Sequence, residues 1–306
     1  MNTTNEATAG EIKLTENNSI DAVQQTGKLV SMKHLWLTAW ADIIESLRAR
    51  WFMVYAGIFG SIVVLLFVFG LTESRIMGFT GLSRLLITYI QLTMAILPIF
   101  VLITTVRSVA GDREAGVFEY MLSLPVSLFA WFWGKMLGRF MVIFIPVFFA
   151  MLIALVVGVF KGAEVPWGLF AYYTALLVVL AWCFLGIGML ISSMARSADV
   201  ATGAAFVIWL VLIMFLDLIL LGILVQEGTS MESAVAISLA NPLQVFRTAA
   251  MMLFDSKLVL LGPTAFVILD NFGVNTYLAF ALIYPAVIGT ATATIGYWLF
   301  KRSDLP

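Results

Sequence analysis

The chain has 306 residues, of which 62% are hydrophobic and 11% charged, and its mean hydropathy is +1.03. So few charges cannot cover a soluble globule of this size, which places the chain among integral membrane proteins. A net charge of −1 without a large basic patch argues against a nucleic-acid partner, and a single cysteine, Cys183, excludes an internal disulfide and reads as a packing residue.

Residues 1–30 are polar and lack hydrophobic periodicity, the pattern of a mobile tail. Over 31–50, Trp36, Trp40, Ile43, Ile44 and Leu47 recur at helical spacing, with Trp51 continuing the series. Asp42, Glu45 and Arg48 fall on the other side, which predicts an amphipathic helix in the interface plane with tryptophans at headgroup depth. Six apolar runs follow, at about 51–71, 85–106, 140–160, 167–192, 200–225 and 276–300. Each is near the roughly 20 residues that cross a hydrocarbon core ~30 Å thick. The runs do not alternate, so they predict helices rather than barrel strands. The first starts too late, and is too long, to be a cleavable signal peptide. With the N-terminus inside, 12 of the 17 Lys and Arg are cytoplasmic, as the positive-inside rule requires.

Two regions lie between spans. Residues 107–139 are predicted to be cytoplasmic and contain "SVAGDREAGVFEYMLSLPVS". There Asp112, Arg113, Glu114 and Glu119 crowd into eight positions, Gly111 and Gly116 bracket the charges, and Pro125 ends the segment. Val117, Tyr120, Met121 and Leu124 recur at helical spacing, so a short amphipathic helix is expected. The residues alone leave a docking element and an ordinary solvated loop equally open. Residues 226–275 are predicted to be external, with apolar stretches broken by Pro242 and Pro263. They predict short helices on or in the outer leaflet, or docked on a partner. Asp217 is the only acid within an assigned span. A charged carboxylate there costs ~3 kcal/mol, so it lines a translocation path or bonds a neighbouring helix. Small residues recur four apart at Ala56 and Gly60, Gly289 and Ala293, and Thr292 and Gly296, spacings that let helices approach closely.

There is no Walker A sequence, no H-E-x-x-H and no Cys/His cluster, and the lone His34 precedes the amphipathic helix. No serine has an evident base partner, so no catalytic residue is assigned, and any energy-yielding chemistry belongs to another chain. The 15 methionines include Met251–Met252 and the pair Met189 and Met194. Thioethers bind Cu(I), but methionine is also common filler in membrane cores, and no metal ligand is assigned.

The passage "DREAGVFEYMLSLPVS" resembles the segment after the second span in ABC-2-type transporter permeases, where a charged cluster, a glycine, a Glu and Pro-Val-Ser recur at this spacing. The layout also matches over about residues 31–303. The resemblance implies an all-α, six-span ABC-2 (type V-like) exporter fold in a bacterial inner membrane, with both termini cytoplasmic. It implies that Asp112, Arg113, Glu114, Gly116, Glu119 and Pro125 form a coupling segment seated in a separate ABC ATPase subunit. That subunit would carry ATP and Mg, and two permeases would work with two ATPases. A narrower resemblance lies in "FLDLILLGILVQEG" and "LANPLQVFRTAAM", which are similar to permeases of nitrous-oxide-reductase maturation systems. It implies a periplasmic β-helix partner, met by Asn241, Pro242 and Arg247, and a part in assembling a copper–sulfide centre. The alternative within transporters is an ABC-2 exporter of a lipid or other hydrophobic compound. An intramembrane enzyme would need a partner for Asp217, and a passive anchor would leave the charged block unexplained.

Overall fold

The computed structural model describes residues 32–48, 79–122, 126–160, 167–215, 231–254 and 273–302, with isolated helical positions between 54 and 61 and at 270. Residues 1–30, most of 51–71, Leu124, Pro125, Asp217 and Pro263 lie outside the described residues. No strand occurs among the described residues.

The helices are α1 (32–48), α2 (Phe79–Glu114), α3 (Val117–Leu122), α4 (Leu128–Phe160), α5 (Trp167–Met194), α6 (Ala198–Leu210), α7 (Met231–Ala240), α8 (Pro242–Phe254) and α9 (Val274–Arg302). A π turn, Val211–Phe215, extends α6. Among the described residues, four helices are long and apolar enough to cross a membrane, within α2, α4, α5 and α9. The start of the predicted 200–225 span is in α6 and its π turn, and the rest lies outside the described residues.

Two helices run past the predicted span limits. At 36 residues, α2 is ~54 Å long, well beyond the ~30 Å hydrocarbon core. A helix bonds its own backbone in lipid and in water alike, so leaving the bilayer gives it no reason to end. Region 107–139 is therefore not a long loop. It consists of the end of α2, six-residue α3 and the start of α4.

The closest helix pair is α5 with α9. On α9 the buried stripe Tyr277, Ala281, Pro285, Gly289, Ala293, Gly296 and Phe300 keeps a step of about four residues. A Cβ on Gly289 would lie 2.6 Å from the Trp182 carbonyl oxygen, and one on Gly186 would lie 2.0 Å from the Gly289 carbonyl oxygen. Backbone meets backbone here, and only glycine allows it. Gly289, Ala293 and Gly296 of the expected small-residue pairs lie in this seam. A Cβ on Gly60 would meet no described atom within 4 Å, and Ala56 lies outside the described residues.

Helix α1 packs on α4 through a G-x-x-x-G pair that the sequence reading passed over. Cβ atoms on Gly134 and Gly138 would each be 2.7 Å from a carbonyl oxygen of α1, those of Leu35 and Ala39. The packed face of α1 carries Ala39, Asp42, Ile43 and Ser46, whereas Trp36, Leu37, Trp40, Ile44 and Leu47 are exposed. Asp42 thus departs from the expected polar outer face, because its partner, described below, sits on α4. Helix α8 packs against α2, α5 and α9, burying Leu243, Val245, Phe246, Ala249, Ala250 and Met251.

Candidate functional site

The ends of α2, α5 and α9 meet the starts of α4 and α6, together with α1 and α3, at one charged end of the bundle. Three charged residues of the passage tie α2 to its neighbours. Lys135 of α4 forms an ion pair with Asp112 and donates to the Ser108 carbonyl at 3.0 Å. The Arg113 guanidinium donates to the Ala195 carbonyl at 2.9 Å and to that of Ser193 at 3.5 Å, placing a cation at the C-terminal end of α5. The Glu114 carboxylate accepts from the Ala198 N–H at 3.1 Å, an anion at the N-terminus of α6. A fourth tie is Ser192, whose hydroxyl accepts from the N–H groups of Val109 and Ala110 at 3.0 Å and donates to the Val106 carbonyl at 2.6 Å. Spacing in the sequence could not reveal these ties, because each reaches a residue far along the chain.

Beside them, Arg139 of α4 holds Asp42 of α1 at 3.1 Å and also donates to the Thr104 carbonyl at 3.2 Å. The Asp42 side chain is 1% exposed. Burial pushes its carboxyl above the ordinary aspartate range, and the charge of Arg139 pulls the other way.

Gly116, with φ of +68°, ends α2 in the left-handed region, its N–H reaching the Arg113 carbonyl at 3.2 Å. A Cβ there would meet nothing within 4 Å, so backbone conformation rather than space favours glycine. The Pro-Val-Ser part of the passage leads into α4. Ser127 accepts from the Ala130 N–H at 3.2 Å, as a helix N-cap does. Between these two boundaries, α3 buries Phe118 and exposes Val117, Glu119 and Tyr120, the last at 69%. Val117 and Tyr120 belong to the apolar face that spacing gives, with Met121 and Leu124, and both are exposed here. Six residues are too few for periodicity to fix a face, and a ring socket selects Phe118 instead. Its ring lies 5.3 Å from Trp131 and 5.4 Å from Phe300, which stack on each other at 5.3 Å. The Lys135 ammonium lies 5.0 Å from the Trp131 ring centre. The site residues therefore divide. Asp112, Arg113 and Glu114 are bonded to neighbouring elements of the bundle, Glu114 while still exposed, Gly116 sets a chain reversal, Glu119 faces outward, and Pro125 lies outside the described residues.

At the other end of the bundle, Asn241 caps α8 and Pro242 takes its first position. Asn241 Oδ1 accepts from the Leu243 N–H at 3.0 Å, and Nδ2 donates to the Leu212 carbonyl in the π turn at 2.8 Å. Asn241 and Pro242 are buried and Arg247 is partly buried. Asn241 and Pro242 build the corner where α8 starts. Asp217 follows the π turn but lies outside the described residues. Among the described residues, no group of three or more His, Cys, Asp or Glu is placed to hold a metal ion. Met189 is buried while Met194 is 65% exposed.

The described residues thus form a helical bundle whose helix ends converge on a short charged connector. Residues 36–305 match the family model described as ABC-2 family transporter protein, and the chain belongs to that family. Relatives in two bacteria carry the name "Probable ABC transporter permease protein NosY". The one from Stutzerimonas stutzeri is 24% identical over 235 residues, covering 74% of this chain and 84% of its own length. The one from Pseudomonas aeruginosa is 25% identical over 233 residues, with the same coverage of 74% and 84%.

Proposed function

We propose that this chain is the NosY-like membrane subunit of an ATP-driven transporter for assembly of the copper–sulfide centre of nitrous oxide reductase. Two copies work with two copies of a NosF-like ATPase, which carries ATP and Mg, and with a NosD-like periplasmic β-helix protein. The chain performs no bond chemistry. One observation carries this reading: α3 is set off by Gly116 and Ser127 and presents Val117, Glu119 and Tyr120 outward. That outward face is where the ATPase docks. Asp112, Arg113 and Glu114 act one layer behind it, holding α2, α4, α5 and α6 as a platform on which α3 can be pushed.

The charged end faces the cytosol, where the Lys and Arg excess belongs. Trp36 and Trp40 on the exposed side of α1 meet lipid headgroups. Asp217 belongs to the translocation path, and the 226–275 segment, around Arg247, meets the periplasmic partner over a corner that Asn241 and Pro242 shape. Movement between inward- and outward-facing states follows closure of the ATPase pair.

Charge reversal tests the docking face. Glu119→Lys is expected to lose the ATPase in detergent pull-downs while permease abundance is unchanged. Glu114→Lys is expected to lower abundance as well, because it repels the N-terminus of α6. Full ATPase recovery with Glu119→Lys would refute the docking assignment.

A further inference from the structure

We infer that α9 is the element that carries displacement of α3 across the membrane, with Phe118 and Phe300 as the positioning residues at its entry and Tyr284 at its exit. The inference rests on the reading of α3 as the docking element. Among the links that join α3 to the bundle are the chain at Gly116 and the ring of Phe118. At Gly116 the chain turns through a left-handed residue where a Cβ would meet no described atom within 4 Å, so a push on α3 is absorbed there by rotation. The ring contact is different. Phe118, Trp131 and Phe300 are at most 6% exposed, and close-packed rings cannot be displaced singly. Displacement of Phe118 therefore reaches Phe300, close to the end of α9.

From Phe300 the route follows one helix. α9 is continuous from Val274 to Arg302, and its midpoint is locked to α5 by the Gly289–Gly186 backbone contact. The Tyr284 hydroxyl, ~24 Å along the axis from Phe300, donates to the Ala240 carbonyl at 2.6 Å. Ala240 ends α7 and immediately precedes Asn241, which caps α8 and holds the Leu212 carbonyl of the π turn. A shift of α9 thus bears directly on the corner joining α7, α8 and the end of α6. This gives one physical line from the ATPase-facing connector to the segment expected outside.

The test uses the permease–ATPase complex purified from membranes, with a fluorophore on Ala236→Cys, an exposed position of α7. Cys183 is buried and does not compete for the label. The unmodified route is expected to give an ATP-dependent emission shift. Phe118→Leu and Phe300→Leu are expected to keep the ATPase bound and lose that shift. Tyr284→Phe, which removes a single oxygen and leaves the core packing alone, is expected to lose it too. Tyr284→Phe decides the matter if either leucine variant fails to accumulate. A shift of full size in Tyr284→Phe, or in both leucine variants, overturns the role of α9, as does the absence of any shift in the unmodified route. If no ATPase accompanies the permease without these substitutions, the docking reading falls instead.

Discussion

Helix α1 is held to α4 by a buried charge pair, and Asp42→Ala probes how firmly. The substitution leaves the Arg139 guanidinium, 18% exposed, without its carboxylate. Removing one partner of a buried pair typically costs 3–5 kcal/mol. Arg139 keeps the Thr104 carbonyl at 3.2 Å and some solvent, so the low end applies, about 3 kcal/mol. The loss falls on the α1–α4 contact and multiplies its open population by about a hundredfold. Trypsin reads that population at Arg48, an exposed residue near the end of α1, when cleavage is slow relative to reclosing. Asp42→Asn keeps an acceptor oxygen and is expected to fall between the parent and the alanine variant. The pair also makes a prediction about pH. The folded-state pKa of Asp42 lies above its ordinary value of 3.8, chiefly through burial. Folded protein then holds the proton more tightly than unfolded, so the added stability that comes from protonating this carboxyl is fully present below the ordinary value and is lost as pH rises through the raised one. What is left above it is the ion pair that Asp42→Ala removes. Arg48 cleavage in the parent should therefore accelerate over that interval relative to Asp42→Asn at the same pH, a ratio in which the protease's own pH dependence cancels. Equal cleavage of the parent and Asp42→Ala would refute the clamp.

Two further substitutions test the packing. Gly289→Val forces side-chain atoms into the backbone of α5, where even a Cβ has only 2.6 Å to the Trp182 carbonyl oxygen. Overpacking costs of 1–3 kcal/mol are a lower limit against backbone, so a large fall in melting temperature is expected, read by a thiol-reactive dye on the buried Cys183. Asn241→Ala removes the α8 cap and the bond to the Leu212 carbonyl together, and about 2 kcal/mol is expected in the same assay. Asn241→Asp keeps the cap but loses the amide donor, so it should recover only part of the loss.

Four of the six apolar runs, those in α2, α4, α5 and α9, were legible because the bilayer fixes both their length and their composition. Their ends were not, because α2 and α4 continue as helix past the point where hydropathy falls. The small residues of α9 were legible from spacing, yet Gly134 and Gly138 carry the same four-residue signal and were passed over, since they fell in the segment expected between spans. Asp42 shows a harder limit. An acid on an amphipathic helix reads as solvent-facing until its cation is known, and Arg139 lies 97 residues away. The charged passage combines both lessons. As a string, Asp112, Arg113, Glu114 and Glu119 are four equivalent surface charges. In the fold, the first three meet an ammonium, a helix C-terminus and a helix N-terminus, each of opposite sign to the residue that meets it. Such a set leaves little charge over for a partner. The docking surface proposed above is therefore placed on the exposed residues of α3, Val117, Glu119 and Tyr120. On that proposal, charge density along the sequence marks the platform, three to eight residues before the docking surface.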